Sequence, residues 1–383
     1  MLHYKYGGST AKRLINCPAW VELAEDIPHG TRISEAATLG TALHELIDRS
    51  LSDEDYDPAG AIAATVEGVL ITKAHILEKI YPALDVFEDI IEQYDLEFIT
   101  ERTMQGKHPD MGGTSDFIGW NIENNILVCL DYKSGDGVIV NAEGNDQLLF
   151  YTALATQSDE VPLELDLDTR IIVGIVQPTD RRDEILDTWE TDLKTLHNWG
   201  DEYARALNTA ERGGAKPNAG NWCQFCPVEA VCPTKTGLAA QAMRLPVDSA
   251  DLESLNAAMA VVTEVEDWTK AVRKLAHDQA EQGVPIKGWK LVNKRASRIW
   301  NDVAAVSKKF KSMRSLKLED YMDMKLMSPP KLEKICKNKG VDFDKFSDYI
   351  SAVSSGTTLA VEDDKRQAVV PVPALKALAD RLN

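Results

Sequence analysis

The stretch from Gly112 to Ala155 limits the fold of this chain more than any other. It reads GGTSDFIGWNIENNILVCLDYKSGDG and then, a few residues on, NDQLLFYTALA. Asp116 stands at the end of a Gly-rich turn and opens an apolar-rich strand, FIGW. Asn124-Asn125 is turn chemistry between two apolar strands, so a hairpin is expected here. The second strand, ILVCLDYK, carries Asp131 and Lys133, which face the same side because side chains alternate with a period of two. Asn145 is placed to cap the next helix, on which Gln147 and Tyr151 lie one turn apart.

The rest of the chain supplies the surroundings of that hairpin. Ser9-Thr10 starts a helix that Cys17-Pro18 interrupts, because proline lacks the amide donor. Residues 34–51 form a helix with Leu39, Leu43, Leu46 and Ile47 at helical spacing, and His44 and Asp48 one turn apart. Residues 59–95 read as further helix, with Ile71, Ile76, Ile80 and Leu84 on one face. Leu96 to Thr103 is a strand with Glu101 near its end. RIIVGIVQ, residues 170–177, is a continuous apolar run and reads as a buried central strand. An edge strand and a helix over 190–212 follow.

Length and composition set outer bounds. With 383 residues and 44% hydrophobic residues, the chain can bury a large core and is long enough for two or three domains. It contains no run of about 18 apolar residues, so no transmembrane helix is expected. The N-terminus lacks an apolar signal-peptide core, and the expected compartment is the cytoplasm. The net charge of −19 weighs against nucleic-acid binding. The charge is uneven, however: Lys287 to Arg314 holds nine Lys or Arg and a single acid, Asp302.

Two carboxylates on adjacent strands beside an Asp-x-Lys pair suit phosphodiester hydrolysis. That reaction needs a metal to activate water and neutralise phosphate charge, and Mg²⁺ prefers carboxylate oxygens. Lys133 would lie beside the ion to orient water or offset charge. The bland alternative is a solvated strand end with a surface salt bridge, but the apolar run before Asp131 argues for an interior strand. The segments GTALHE, GGTSDFIG, LDYKSGDG and DQLLFY together resemble the ordered motifs of RecB-type nucleases of the PD-(D/E)xK superfamily. The resemblance covers about residues 9–235. It is closest to phage-borne RecB-like exonucleases and to CRISPR-associated nucleases that carry an iron–sulfur cluster. It implies a site made of His44, Asp116, Asp131, Lys133, Gln147 and Tyr151, in which His44, Asp116 and Asp131 hold Mg²⁺ or Mn²⁺. Glu101 is a weaker candidate for a further acidic ligand. Ser115-Asp116 replaces the Pro-Asp of the motif name, an ordinary variation.

Of six cysteines, Cys223, Cys226 and Cys232 lie within ten residues, in a Cys-x2-Cys-x5-Cys pattern. In a cytosolic chain such spacing indicates thiols or metal ligands rather than disulfides. Cys17 is the natural fourth ligand, and Trp222 and Phe225 are placed to shield the group from water. Four thiolates suit zinc or an iron–sulfur cluster equally well by spacing. The resemblance favours [4Fe–4S], because RecB-type relatives use one N-terminal and three C-terminal cysteines. Such a cluster would clasp the two ends of the nuclease domain.

The expected architecture is α/β: a restriction-endonuclease-like core with a mixed central sheet flanked by helices, over residues 1–240. A mostly helical, basic accessory region follows over 241–352, in which Trp289 and Trp300 among Lys and Arg suit DNA contact as well as they suit a solvated face. A linker and tail occupy 353–383. The expected function is metal-dependent DNA exonuclease action on single-stranded or duplex ends, of the kind used in phage recombination, replication or processing, with partner proteins of those processes. The competing reading is a catalytically inactive DNA-binding or scaffold protein that keeps the fold.

Overall fold

The strand Ile126–Tyr132 is buried at all seven positions, and the helices and strands of the domain are layered around it. The computed structural model describes residues 4–25, 27, 35–245, 251–281, 283–289 and 337. The chain divides into two compact units, 1–297 and 298–383, and of the second only Lys337 is described. Trp300, the basic segment beyond residue 289, and the expected linker and tail therefore lie outside the described residues. No helix among the described residues is long and apolar enough to cross a membrane.

The first unit is mixed α/β. Its principal helices and strands run α1 (Gly8–Asn16), α2 (Glu35–Ser52), α3 (Tyr81–Tyr94), β1 (Glu97–Gln105), β2 (Gly112–Asn121), β3 (Ile126–Tyr132), α4 (Asp146–Ala155), β4 (Arg170–Val176), β5 (Leu186–Thr191), α5 (Leu193–Arg212), α6 (Pro233–Ala242) and α7 (Leu252–Glu281). The five strands form one sheet in sequential order. Neighbouring pairs are antiparallel except β3 and β4, which are parallel. A parallel pair needs a crossover long enough to hold a helix, and α4 is that helix.

Alternation along the strands sorts the core into two layers. Leu127 and Cys129 of β3, with Ile118 and Trp120 of β2, pack with α1, α4 and α5. Ile126, Val128, Leu130 and Tyr132 pack with α2 and α3 on the other face. Each fully buried side chain of this size contributes about 1.5–3 kcal/mol. Asp131 continues the series of Leu127 and Cys129, so the sheet directs it toward the α4 layer, where Gln147 waits.

Two elements differ from the sequence reading. The stretch 59–95 is not one helix: Thr65–Val66 and Val69–Leu70 pair as a small hairpin before helix resumes at Lys73. Glu67 at φ 47 and Gly68 at φ 79 occupy the two central positions of the turn, the pattern whose twist suits a two-residue hairpin loop. The second difference is that β2 begins at Gly112, so Asp116 sits in mid-strand rather than opening it. Glycine is required at 113 by close approach: a side chain there would meet the Tyr151 ring at 2.9 Å.

Candidate metal centre and cysteine cavity

The candidate metal centre lies at the C-terminal end of β3, where α2 reaches across β1 and β2. Asp48 accepts a hydrogen bond from Thr100 Oγ at 2.5 Å, which ties α2 to β1. One turn earlier, His44 Nδ1 lies 3.0 Å from Glu101 Oε1 and 3.3 Å from Asp116 Oδ1. The His44 ring stands edge-on to Tyr132, with centroids 5.2 Å apart. The Tyr132 amide donates to Asp116 Oδ2 at 2.7 Å, so the backbone of β3 fixes the carboxylate that β2 supplies. Among the described residues, His44, Glu101 and Asp116 are the one trio whose possible ligand atoms all lie within 4.8 Å of one another.

Glu101 was the least expected of the three. The β1–β2 ladder pairs Thr100 with Phe117 and Arg102 with Ser115, and it skips the 101–116 position without changing register. Glu101 has φ 43, in the left-handed region that side-chain-bearing residues rarely adopt. Two carboxylates thus face each other across a gap in the ladder, an arrangement that repels unless a cation sits between them. Nothing in the period-two pattern of LEFITERT announces that twist.

A second group of side chains continues from the first. Lys133 Nζ lies 2.7 Å from Asp131 Oδ2 and donates to Gln147 Oε1 at 3.1 Å. Gln147 Nε2 donates to Asp131 Oδ1 at 2.8 Å. Asp131 Oδ2 is buried and has no aligned hydrogen-bond donor, despite its nearness to Lys133. Asp131, expected among the metal ligands, stands outside the His44 trio and within this Lys–Gln triangle. Gln147 is oriented from below, since Asn145 caps α4 by accepting from the amides of Gln147 and Leu148. Tyr151 lies further along α4, its ring packed where Gly8 and Gly113 leave room.

Electrostatics couple the groups. Burial disfavours the imidazolium, yet Asp116 and Glu101 outweigh it and hold His44 up at about 10. Burial also works against the Asp116 anion, but His44, Lys133 and the Tyr132 amide leave it below the usual carboxylate range. Asp131 is pushed up to about 6 by burial, against the pull of Lys133 and with the added repulsion of Asp116. Burial disfavours charge on Lys133, and Asp131 and Asp116 overcome it, so this amine stays protonated.

The cysteines meet elsewhere. Cys17 follows the end of α1, Cys223 ends the short turn Asn221–Cys223, and Cys232 precedes α6. All three are buried, and Cys226 is partly so. The four line one cavity with Arg13, Trp20, Trp222 and Lys235. The Asn218 amide donates to Cys17 Sγ at 3.3 Å and the Gly220 amide to Cys223 Sγ at 3.4 Å. Burial pushes Cys223 upward and Cys226 up to about 11. Trp222 lines the cavity, but Phe225 does not: it is 82% exposed on a left-handed turn at φ 61. The local Cys-x2-Cys turn sends position 225 outward.

Sequence reasoning missed two cavity residues. Arg13 braces the cysteine loop by donating to the carbonyls of Trp222, at 3.5 Å, and Gln224, at 3.3 Å. Lys235 is only 3% exposed and is held by Glu229 and Glu264, the latter on α7. Trp268 of α7 also donates to the Ala230 carbonyl at 3.2 Å. Residues 3–367 match the DUF2800 family, described as "Protein of unknown function", and the chain belongs to that family.

Proposed function

We propose that this protein is a metal-dependent deoxyribonuclease of the RecB-type PD-(D/E)xK kind, acting on DNA ends. The observation that carries the reading is the convergence of His44, Glu101 and Asp116 beside the Asp131–Lys133–Gln147 triangle. The mixed sheet with its two central strands parallel and its site at their C-terminal end suits a restriction-endonuclease-like core.

The donor set fits a hard divalent cation. One imidazole and two carboxylates stand within a single ion's reach, and the His44 proton now offsets the two anions. His44, Glu101 and Asp116 would hold Mg²⁺ or Mn²⁺, with Asp131 alongside. A bound ion there would make water nucleophilic and neutralise phosphate charge. Lys133, protonated and held by Asp131 and Gln147, supplies a fixed cation beside the reacting phosphate and cannot serve as the base. Gln147 keeps both partners in place. Tyr151 fills the space under α1 and holds α4 at its depth.

The cysteine cavity fits a metal cofactor, with four thiols and two N–H···S contacts. Four thiols suit a zinc ion or an iron–sulfur cluster, and the family resemblance favours [4Fe–4S], with Cys17, Cys223, Cys226 and Cys232 as ligands. Its role would be structural.

The test is digestion of end-labelled single- and double-stranded DNA with Mg²⁺ or Mn²⁺, using anaerobically purified protein analysed for iron, sulfide and zinc. Metal-dependent cleavage is expected, with Lys133→Ala slower by about 10²–10³-fold and still able to bind DNA. Absence of cleavage on every end would favour the scaffold reading, and one zinc without iron would remove the cluster.

A further inference from the structure

The long helix α7 lies outside the stretch that resembles a nuclease, yet it is fastened to the cysteine segment. Glu264 of α7 pairs with Lys235, and Trp268 Nε1 donates to the Ala230 carbonyl at 3.2 Å. Both points of attachment belong to the cysteine segment. Ala230 stands between Cys226 and Cys232, and Lys235 lies one turn beyond Cys232, which precedes α6. Thr234 Oγ1 donates to the Pro217 carbonyl at 3.0 Å, so the start of α6 is tied back to the loop that leads into Cys223.

The anchorage of α7 is otherwise shallow. None of its described side chains is buried, so it lacks the deep apolar contacts that fix a helix in place. A helix held this way opens at low cost in free energy. Lys235 is the buried member of the attachment, 3% exposed and shared between Glu229 and Glu264. A buried ammonium that loses a carboxylate is destabilised far more than an exposed one, so the Glu264 contact outweighs an ordinary surface pair.

The cysteine cavity also faces α7. Cys223, Cys226, Glu229 and Lys235 line that cavity and line a neighbouring groove whose other wall is α7, over residues 263–279. The groove has a volume of about 860 Å³, room enough for a small chelator. A reagent that reaches the thiols from this side passes along α7.

We infer that α7 is the retaining strap of the cysteine centre. The Glu229–Lys235–Glu264 cluster and the Trp268–Ala230 bond couple the metal held by Cys17, Cys223, Cys226 and Cys232 to the docking of α7. With metal bound, the turns that carry Ala230 and Lys235 have fixed positions, and α7 is fastened. Without it, those turns have no sheet partner to hold them, both anchor points lose their place, and α7 lifts. Such coupling is reciprocal, so loosening α7 weakens metal retention by the same factor. The inference rests on metal binding at the cysteines and is independent of any nuclease activity.

Hydrogen exchange and metal loss test the strap on the anaerobically purified full chain. Amides of residues 252–281 should exchange about tenfold faster once the metal is stripped, a larger change than that of β3. Trp268→Phe keeps an aromatic ring and removes the N–H, and Glu264→Gln keeps the size and removes the charge. Each should release metal about fivefold faster than the wild type, read with bathophenanthroline for iron and pyridylazoresorcinol for zinc. Charge alone gives the opposite result for Glu264→Gln, since removing a carboxylate near four thiolates favours the metal-bound form, so faster loss there reports docking. Lys270→Ala, whose ion pair with Asp267 stays within α7, should match the wild type. The strap is overturned by equal exchange of α7 in loaded and stripped protein, by wild-type metal loss in both anchor variants, or by equally fast loss in Lys270→Ala. A chain that purifies with neither iron nor zinc would overturn it too. Absence of DNA cleavage would sink the nuclease reading and leave the strap standing.

Discussion

The carboxylate centre and the cysteine cavity are built from opposite materials. The centre stands on strands and a capped helix, and the chain's own charges balance it: His44 sits between Glu101 and Asp116, and Lys133 beside Asp131. The cavity is made of turns. Cys223, Cys226 and Cys232 lie on a segment with no sheet partner, and no disulfide closes it onto Cys17. Arg13, Lys235 and two amides brace it from outside. A scaffolded centre can lose a ligand and keep its shape, whereas a cavity of loop thiols depends on what binds it.

The largest effect that sharpens this contrast is on folding. Cys17→Ser should lower the melting temperature of anaerobically purified protein by about 10 °C or more, with loss of bound iron. Lys133→Ala, by comparison, should lose cleavage with little change in melting. If Cys17→Ser melts like the wild type while its iron is gone, the cavity is scaffolded after all and the contrast fails.

These differences also set what the sequence could tell. Hydrophobic period found β3, the β4 run and α2, because burial on one or both faces writes itself into the pattern of apolar residues. Asn145 announced its cap, and Asp131 and Lys133 meet on one side of their strand as a period of two requires, while Gln147 joined them through the family resemblance. His44 entered through family resemblance alone, since one histidine on a helix has no distinguishing pattern. Glu101 stayed weak because its place depends on a left-handed φ, a backbone fact that residue type does not encode. Lys235 gave no signal, because its partners belong to a different helix and turn.

A middle-sized effect concerns protons. His44 is held up to about 10 by Asp116 and Glu101, above its ordinary value, so it carries a proton throughout the neutral range. A metal needs the neutral imidazole and must displace that proton. Apparent Mn²⁺ affinity should therefore rise with pH, by up to about tenfold per unit below pH 10, and each ion should release about one proton. Calorimetric titration at pH 7.5 in buffers of different ionisation heat measures the release. Heats that do not depend on the buffer would remove His44 from the ligand set.

The smallest effect isolates the strain at Glu101. At an ordinary strand position alanine is favoured over glycine, because glycine loses more backbone entropy on folding. At φ 43 the order should reverse, since a Cβ in the left-handed region costs about 1–2 kcal/mol. Glu101→Gly should thus be more stable than Glu101→Ala by about 1 kcal/mol in denaturant unfolding, while both lose metal affinity equally. Glu101→Gln keeps the side-chain volume and the strained backbone, and it too should bind metal weakly. If alanine proves the more stable, the left-handed turn at 101 is not held by the sheet. The carboxylate would then reach His44 by a different backbone path, and the candidate metal centre would be less firmly scaffolded than the sheet suggests.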